Sequence, residues 1–172
     1  MKNRRLFFAL WPNEAVRARL AAEVQTHAAL GRAIAARNLH VTVVFLGSVP
    51  ADRIDDVRVA AKLTLSGKFI VHLERMEFWR RSHLLALIAE HTPPQLQALV
   101  DGLRSRLRER GFELRDQETF RPHVTLVRDV EREPVAPGVA PVEWLVESFA
   151  LVESQVGQRG SEYAVLEEWP LT

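Results

Sequence analysis

Two short segments, about half the chain apart, share the pattern histidine, apolar residue, threonine at the start of a strand-like run. The first is LHVTVVFLG, with His40 and Thr42, and the second is FRPHVTLVR, with His123 and Thr125. Residues i and i+2 of a β-strand lie on the same face. Each segment therefore places an imidazole and a hydroxyl about 7 Å apart on one polar edge of an apolar strand. The repeated pattern predicts two similar lobes, each contributing one such strand.

The rest of the chain predicts an α+β fold. Apolar runs bounded by Gly or Pro indicate strands, whereas apolar residues at helical spacing indicate helices. The predicted order is strand, helix, His-x-Thr strand, helix, two strands, helix, His-x-Thr strand and two strands. The runs KFIVHLERMEFW and VEWLVESFALVES are each predicted as one strand. Because no change in composition marks a boundary, residues 1–172 are predicted to form a single domain.

Three helices are predicted from their start and stop signals. The first is capped by Asn13 and extends to about Leu30, the second starts at Pro50, and the third starts near Pro93. The third helix carries one apolar stripe, which consists of Leu96, Leu99, Val100, Leu103 and Leu107. The acids at the start of the second helix are interpreted as solvated first-turn residues, namely Asp52, Asp55 and Asp56.

Composition excludes several classes of protein. The chain has no cysteine, which excludes disulfides, thiolate metal sites and a cysteine nucleophile. The net charge of +1 argues neither for nor against a nucleic-acid partner. The apolar run RLFFALW ends at Pro12 and is too short for a signal-peptide core or a membrane span. We therefore expect a cytoplasmic protein that makes no membrane contact.

Two histidines and two threonines suit displacement at phosphorus. Because an imidazole titrates near pH 6.5, His40 and His123 can be held as one neutral and one protonated ring. The neutral ring takes a proton from the attacking water, and the protonated ring gives one to the departing oxygen. The hydroxyls of Thr42 and Thr125 hold the non-bridging oxygens. A strained 2′,3′-cyclic phosphate can be opened in this way without a metal, and the chain has no metal-binding motif, so no cofactor is expected.

A purely structural explanation of the two motifs also stays open. In that interpretation each histidine bonds a backbone carbonyl and each threonine is present as a good β-former. The remaining histidines are interpreted as structural, with His27 on the polar side of the first helix; these are His27, His72, His83 and His91.

The two segments resemble the paired HxTx motifs of the two-histidine (2H) phosphoesterase superfamily. More closely, the chain is similar to the bacterial RNA 2′,3′-cyclic phosphodiesterases, also called 2′-5′ RNA ligases. The likeness includes the opening RLFFALWP and the ending FALVES and YAVLEEWPL. The resemblance implies a bilobal fold of two pseudo-symmetric antiparallel-sheet lobes, with helices outside and an active-site cleft between them. It also implies His40 and His123 as acid and base, and Thr42 and Thr125 as phosphate-binding residues.

The resemblance further implies a substrate. Family members hydrolyse 2′,3′-cyclic phosphate RNA ends to 2′-phosphates without a metal, and some join tRNA halves through a reversible 2′-5′ linkage without ATP. RNA ends of this kind, including tRNA halves, are the implied partners of a monomeric protein. Two alternatives stay open: a phosphodiesterase of small cyclic nucleotides, and a non-catalytic domain that binds RNA or nucleotides. Arginines clustered around the cleft would favour RNA.

Four further residues are candidates for substrate contact. Arg128 belongs to the family-like block, but strand alternation puts it opposite His123, so it reaches the cleft only if the strand bends. Arg121 shares the alternation of His123 but precedes a proline, where a loop is equally expected. Trp11 and Phe45 could stack a base. As apolar strand residues they are expected in the core, and alternation places Phe45 in the layer opposite His40.

Overall fold

The computed structural model describes residues 3–115, 119–135, 138–157 and 160–172 of the chain. Within these ranges the helices are α1 (Glu14–His27), α2 (Ile54–Lys62) and α3 (Pro94–Glu109). The strands are β1 (Asn3–Leu10), β2 (Arg32–Ala33), β3 (Val41–Pro50), β4 (Phe69–Leu73), β5 (Arg75–Trp79), β6 (Leu84–Ile88), β7 (His123–Arg128), β8 (Val142–Val146), β9 (Ser148–Gly157) and β10 (Gly160–Pro170).

Seven of the strands form one antiparallel path in the order β10-β9-β1-β3-β7-β6-β5, and β2 pairs with β7 beside it. The motif strands β3 and β7 meet at the pair Val41 and Val124 and diverge beyond it. The path therefore consists of two halves, β10-β9-β1-β3 and β7-β6-β5, that are joined at one narrow point. The predicted α+β fold of two antiparallel lobes is confirmed.

Two predicted strands are each divided in the structure. The run KFIVHLERMEFW forms β4 and β5, and the run VEWLVESFALVES forms β8 and β9. In both cases one part joins the long sheet, while β4 and β8 pair with each other in a separate two-stranded sheet. Alternation in a sequence indicates a strand but does not specify its partner. The prediction of single strands was therefore wrong at both places.

The three predicted helices are present with shifted ends. The side chain of Asn13 accepts a hydrogen bond from the backbone N–H of Val16 at 3.0 Å, as expected of a cap. Residues Ala28–Leu30 and Ala51–Arg53, which were predicted as α-helical, form 3-10 turns that flank α1 and α2. The first-turn acids Asp55 and Asp56 are exposed or half-exposed, as predicted. No helix among the described residues has the length and apolar character needed to cross a membrane.

The helices cover one face of the sheet and leave the other face to the site. The predicted stripe of α3 is buried and packs in one large core with alternate residues of β1, such as Leu6 and Phe8. Each buried leucine of this kind contributes about 1.5–3 kcal/mol. The opposite face, here called the cleft face, carries two small apolar clusters. One consists of Phe7, Ala9, Ala150 and Val152 in the first half, and the other of Leu84, Ala86 and Ile88 in the second.

Candidate active site

The pairing of β3 with β7 brings both His-x-Thr motifs to one place. Val41 is the middle residue of the first motif and Val124 is the middle residue of the second, and these two residues are partners. Because the strands are antiparallel, each histidine lies beside the threonine of the other motif. Both valines are fully buried in the core, so the flanking polar side chains lie on the cleft face. The four predicted residues therefore surround one point.

Both histidines are held by the same kind of hydrogen bond. The Nδ1 of His40 donates to the carbonyl oxygen of Asn38 at 2.7 Å, and the Nδ1 of His123 donates to that of Arg121 at 2.8 Å. A carbonyl only accepts, so Nδ1 must carry a proton in each ring. In its neutral form each ring then has an unprotonated Nε2. The carbonyl bonds of the structural explanation are thus present, and they leave the Nε2 of each neutral ring without a proton.

The surroundings of His40 are aromatic. The ring of Trp11 stacks on His40 at 5.7 Å between centroids, and the rings of Phe7 and Tyr163 lie at 5.0 and 5.1 Å. Burial lowers the pKa of His40 to about 4, and nearby positive groups, including Arg128, act in the same direction. The Nε2 of His40 lies 3.1 Å from the hydroxyl oxygen of Thr42, which donates to it when the ring is neutral. In the free protein this ring is therefore neutral at pH 7.

His123 is bounded by a tryptophan and an ion pair. The ring of Trp79 lies 4.5 Å from the imidazole, and its indole N–H donates to Glu77 at 2.8 Å. The same carboxylate receives two hydrogen bonds from the guanidinium of Arg121, at 2.7 and 3.1 Å. Burial lowers the pKa of His123, and the charges of Arg121 and Arg128 act in the same direction. Glu77 opposes this shift, because its negative charge favours the protonated ring.

Each motif strand contains a β-bulge three residues after its histidine. Phe8 pairs with Val44 and Ala9 with Thr42, so Val43 is the extra residue of β3. An extra residue reverses the alternation beyond it. As a result Phe45 lies on the cleft face, where it is 38% exposed. The expectations that Phe45 lies in the core and opposite His40 were wrong.

The bulge in β7 reverses the alternation in the same way and places Arg128 on the cleft face. Leu85 pairs with Val127 and Ala86 with Thr125, so Leu126 is the extra residue. Arg128 pairs with Leu84, which belongs to the cleft-face cluster, so the arginine joins His123 on that face. The predicted alternation, which put Arg128 on the opposite face, was wrong for this reason. Phe45 and Arg128 each follow the histidine of their motif by five residues and occupy equivalent positions.

A cavity of about 610 Å³ extends from the two motifs towards Phe45. It reaches Thr42 and His123 at its inner end. Its remaining lining is formed by Val43, Phe45, Glu77, Trp79, Thr119, Phe120 and Arg121. Small-molecule sites have volumes of roughly 300–1,000 Å³, so the cavity is large enough for a nucleoside beside Thr42 and His123.

The chain matches the family model of the 2′-5′ RNA ligase superfamily over residues 11–158, a range that includes both motifs. The chain belongs to this superfamily. The resemblance inferred from the sequence is thereby confirmed.

Named relatives in the superfamily cover nearly the whole chain. RNA 2′,3′-cyclic phosphodiesterase from Escherichia coli K12 is 31% identical over 171 residues, which cover 98% of this chain and 97% of that protein. The protein of the same name from Thermus thermophilus is 32% identical over 97% of this chain and 90% of its own. The crystal structure of E. coli LigT complexed with 3′-AMP superposes with a TM-score of 0.89, at 30% identity and over 99% of both chains.

The superfamily motifs do not include every residue that the structure places at the site. Sequence reasoning missed Tyr163, Trp79 and Glu77, because each comes from a strand distant in sequence from both motifs. Arg121 was left open, and it lies in the loop before β7 and lines the cavity. The described residues contain no group of three His, Asp or Glu side chains placed to hold a metal ion.

His27, His72 and His83 lie outside the candidate site, and one prediction about them was wrong. His27 is 5% exposed rather than on a polar face, because α1 packs against β7 and β8. Its Nδ1 bonds the carbonyl of Glu23 one turn earlier at 2.8 Å. His72 is exposed beside Glu143, at 3.8 Å, and His83 bonds the carbonyl of Val130.

Proposed function

We propose that this protein is an RNA 2′,3′-cyclic phosphodiesterase in which His40 and His123 act as acid and base. The observation that carries the proposal is the pairing of Val41 with Val124, since it gathers two imidazoles and two hydroxyls around one point. The names of the relatives from E. coli and T. thermophilus support the substrate class. The matched tautomers, with an unprotonated Nε2 in each neutral ring, disfavour a non-catalytic binding domain, because recognition alone does not require them.

The phosphate is proposed to lie between the two motifs. The hydroxyls of Thr42 and Thr125 donate to its non-bridging oxygens, and Arg128 supplies a positive charge beside them. Among the described residues Arg128 has no carboxylate partner, so its guanidinium is available to an anion. The backbone positions of these three residues are set by β3 and β7 before the reaction, and their donors stabilise the charge that develops on phosphorus in the transition state.

The proposed step transfers two protons and exchanges one P–O bond for another. The Nε2 of His123 takes a proton from water as the water oxygen bonds to phosphorus. The bond from phosphorus to the 3′-oxygen breaks, and that oxygen takes a proton from the Nε2 of His40. The product is a 2′-phosphate with a free 3′-hydroxyl. The acid and base roles follow the family resemblance, because the two lobes present the rings almost symmetrically.

Arginines whose charge no carboxylate neutralises favour RNA over small cyclic nucleotides as the substrate. Arg5, Arg17 and Arg128 lie at the cleft, and within the described residues none of them has a carboxylate partner. The net charge of the whole chain is only +1, but these arginines give the cleft a local positive charge. Arg17 and Arg5 also lie over Trp11 and Phe45, at 5.3 and 5.0 Å from the ring centroids. Aromatic faces with neighbouring arginines are the usual platform for single-stranded nucleic acid.

The finer parts of this function stay predictions. Ligation through a reversible 2′-5′ linkage, tRNA halves as partners, a monomeric state and a cytoplasmic location rest on the family resemblance and on the expectations from composition. An assay of ligation uses two RNA fragments, one of which ends in a 2′,3′-cyclic phosphate, without ATP.

Cyclic phosphate opening is expected to proceed at full rate in excess EDTA and to leave a 2′-phosphate. The reason is that two imidazoles and a strained ring provide proton transfer and driving force without a Lewis acid. The measurement is chromatography of the product of an oligonucleotide with a 2′,3′-cyclic phosphate end. A His123→Ala preparation, purified in the same way, controls for contaminating nuclease. Activity that EDTA abolishes and a divalent ion restores would contradict the mechanism, and a 3′-phosphate product would reverse the assignment of the leaving oxygen.

The pH dependence is expected to differ between kcat/KM and kcat. Because the pKa values of His40 and His123 are lowered in the free protein, the state with one protonated ring is scarce at pH 7 and becomes commoner as the pH falls. We expect kcat/KM, which reports the free protein, to reach its maximum below pH 6.5. A bound phosphate anion raises both pKa values, so kcat should reach its maximum at higher pH. Two coincident profiles below pH 6.5 would show that substrate does not shift the pKa values of the rings, and a kcat/KM maximum near pH 6.5 would contradict the lowered pKa values of the free protein.

A further inference from the structure

The adjacent residues Arg4 and Arg5 of β1 lie on opposite faces of the sheet and differ in their partners. Arg4 forms two hydrogen bonds of 2.7 Å with the carboxylate of Glu153. Arg5 alternates with Phe7 and Ala9, which belong to the cleft-face cluster. Within the described residues the guanidinium of Arg5 has no hydrogen bond and no ion pair, and the side chain is exposed. Its positive charge is therefore uncompensated.

The guanidinium of Arg5 is positioned by an aromatic ring. Its central carbon lies 5.0 Å from the centroid of Phe45. A cation over a ring face is attracted to that face, and the N–H groups at the edge of the guanidinium stay free to donate. A planar group with free, fixed donors is well suited to a phosphate. The ring–arginine pair therefore offers a base platform and an anion site side by side.

This pair lies about one nucleotide from the two motifs. Thr42 is opposite Ala9, and Phe45 is opposite Phe7, which precedes Ala9 by two residues in β1. Two strand residues span about 7 Å. The cavity of about 610 Å³ connects the same two points, because both Thr42 and Phe45 line it. A nucleoside above β3 would hold its 3′-oxygen on the side of His40 and its 5′ end towards Arg5.

The other end of the site gives an RNA strand less room. There the ring of His40 is packed against Trp11, and Tyr163 lies edge-on at 5.1 Å. Among the cleft residues near Phe45, Arg121 also carries a positive charge, but its guanidinium is already bound by Glu77. Arg5 is therefore the cation at this end that can accept a phosphate without losing an existing ion pair.

We propose that Arg5 binds the 5′-phosphate of the terminal nucleotide, so that the protein selects oligonucleotide ends over nucleoside 2′,3′-cyclic phosphates. The inference rests on the proposed function, since it assumes that the cyclic phosphate lies between the two motifs. The upstream RNA strand then leaves the cleft over β1. Arg5 is a specificity-determining residue in this arrangement and takes no part in proton transfer.

Three substrates test the inference: adenosine 2′,3′-cyclic phosphate, the same nucleotide with a 5′-phosphate, and the ApA dinucleotide with a 2′,3′-cyclic end. The expected kcat/KM of the wild-type protein is about 10-fold higher for the two substrates that carry a 5′-phosphate. Arg5→Gln should remove that preference and leave the rate on adenosine 2′,3′-cyclic phosphate within about twofold. Lys62→Gln changes an exposed residue at the end of α2, removes one positive charge outside the cleft and should preserve the preference.

The outcomes separate this inference from the proposed function. A wild-type protein that opens none of the three substrates would refute the proposed function itself. A wild-type protein that opens all three at equal kcat/KM would refute only the inference. An equal loss on all three substrates in Arg5→Gln, with a lower melting temperature, would show that Arg5 supports the fold and would also overturn the proposal. The preference for a 5′-phosphate should disappear in 0.5 M salt in the wild-type protein, whereas salt should not change the relative kcat/KM values of Arg5→Gln. This result would support an ionic contact between Arg5 and the 5′-phosphate.

Discussion

His40→Ala is expected to open the cyclic phosphate about 10²–10⁴-fold more slowly than the wild-type protein, and an activated substrate should recover most of that loss. The proposed role of His40 is to protonate the 3′-oxygen as it departs. An aryl phosphodiester with a good leaving group needs no proton at that step, so the missing acid matters little. The measurement is kcat/KM of the variant and the wild-type protein on both substrates.

His123→Ala is the matched comparison, because the two rings have equivalent positions and equivalent carbonyl bonds. A similar loss is expected on the cyclic phosphate, but the aryl substrate should recover little of it, since the attacking water still lacks a base. The opposite pattern would exchange the two roles. Equal recovery in both variants would mean that neither ring is a dedicated acid, and near-normal turnover in either would support the structural explanation of the motifs.

Thr42→Val and Thr125→Val are expected to fold normally and to turn over about 10²–10³-fold more slowly. Valine keeps the shape and the β preference of threonine while it removes the hydroxyl donor. Both threonines are partly exposed on the cleft face, so neither hydroxyl is a buried group on which the fold depends. In Thr42→Val the ring of His40 also loses the hydroxyl that lies 3.1 Å from its Nε2. Turnover on the cyclic phosphate and thermal unfolding are measured together.

Thr64→Val provides the matched control for this pair. Its hydroxyl is buried and donates to the carbonyl of Ala60 at 2.9 Å, outside the cleft. Removing it should cost about 0.5–1.5 kcal/mol of stability and leave turnover unchanged. Marked unfolding of Thr42→Val or Thr125→Val with turnover close to that of the wild-type protein would indicate that the cleft hydroxyls serve the fold rather than a phosphate.

The two bulges explain why alternation in the sequence predicted the wrong face for two residues of the site. Strict alternation placed Phe45 and Arg128 away from the histidines, and the bulges at Val43 and Leu126 returned both to the cleft face. A signal was present, since each motif contains an apolar doublet, Val43 with Val44 and Leu126 with Val127. Both members of each doublet are buried in the core, which a regular strand cannot achieve. Two doublets at the same offset from a histidine could have indicated paired bulges.

Local properties of this protein could be predicted from its amino-acid order. Helical spacing identified the buried stripe of α3, the His-x-Thr pattern identified four of the residues around the site, and the family followed from both motifs. These properties depend on residue type and on short-range periodicity, and both can be read from the amino-acid sequence. The catalytic roles of the four residues stay predictions that the variants above test.

Which elements meet could be learned only from the folded chain. The pairing of Val41 with Val124, the division of two predicted strands between two sheets, and the burial of His27 all depend on contacts between distant parts of the chain. The same is true of the lowered pKa of both histidines, because burial, the main cause, arises only in the folded chain, and Arg128 acts on His40 only once β3 and β7 meet. Alternation gives a strand two faces, but only its neighbours determine which face is covered and which remains open to a substrate.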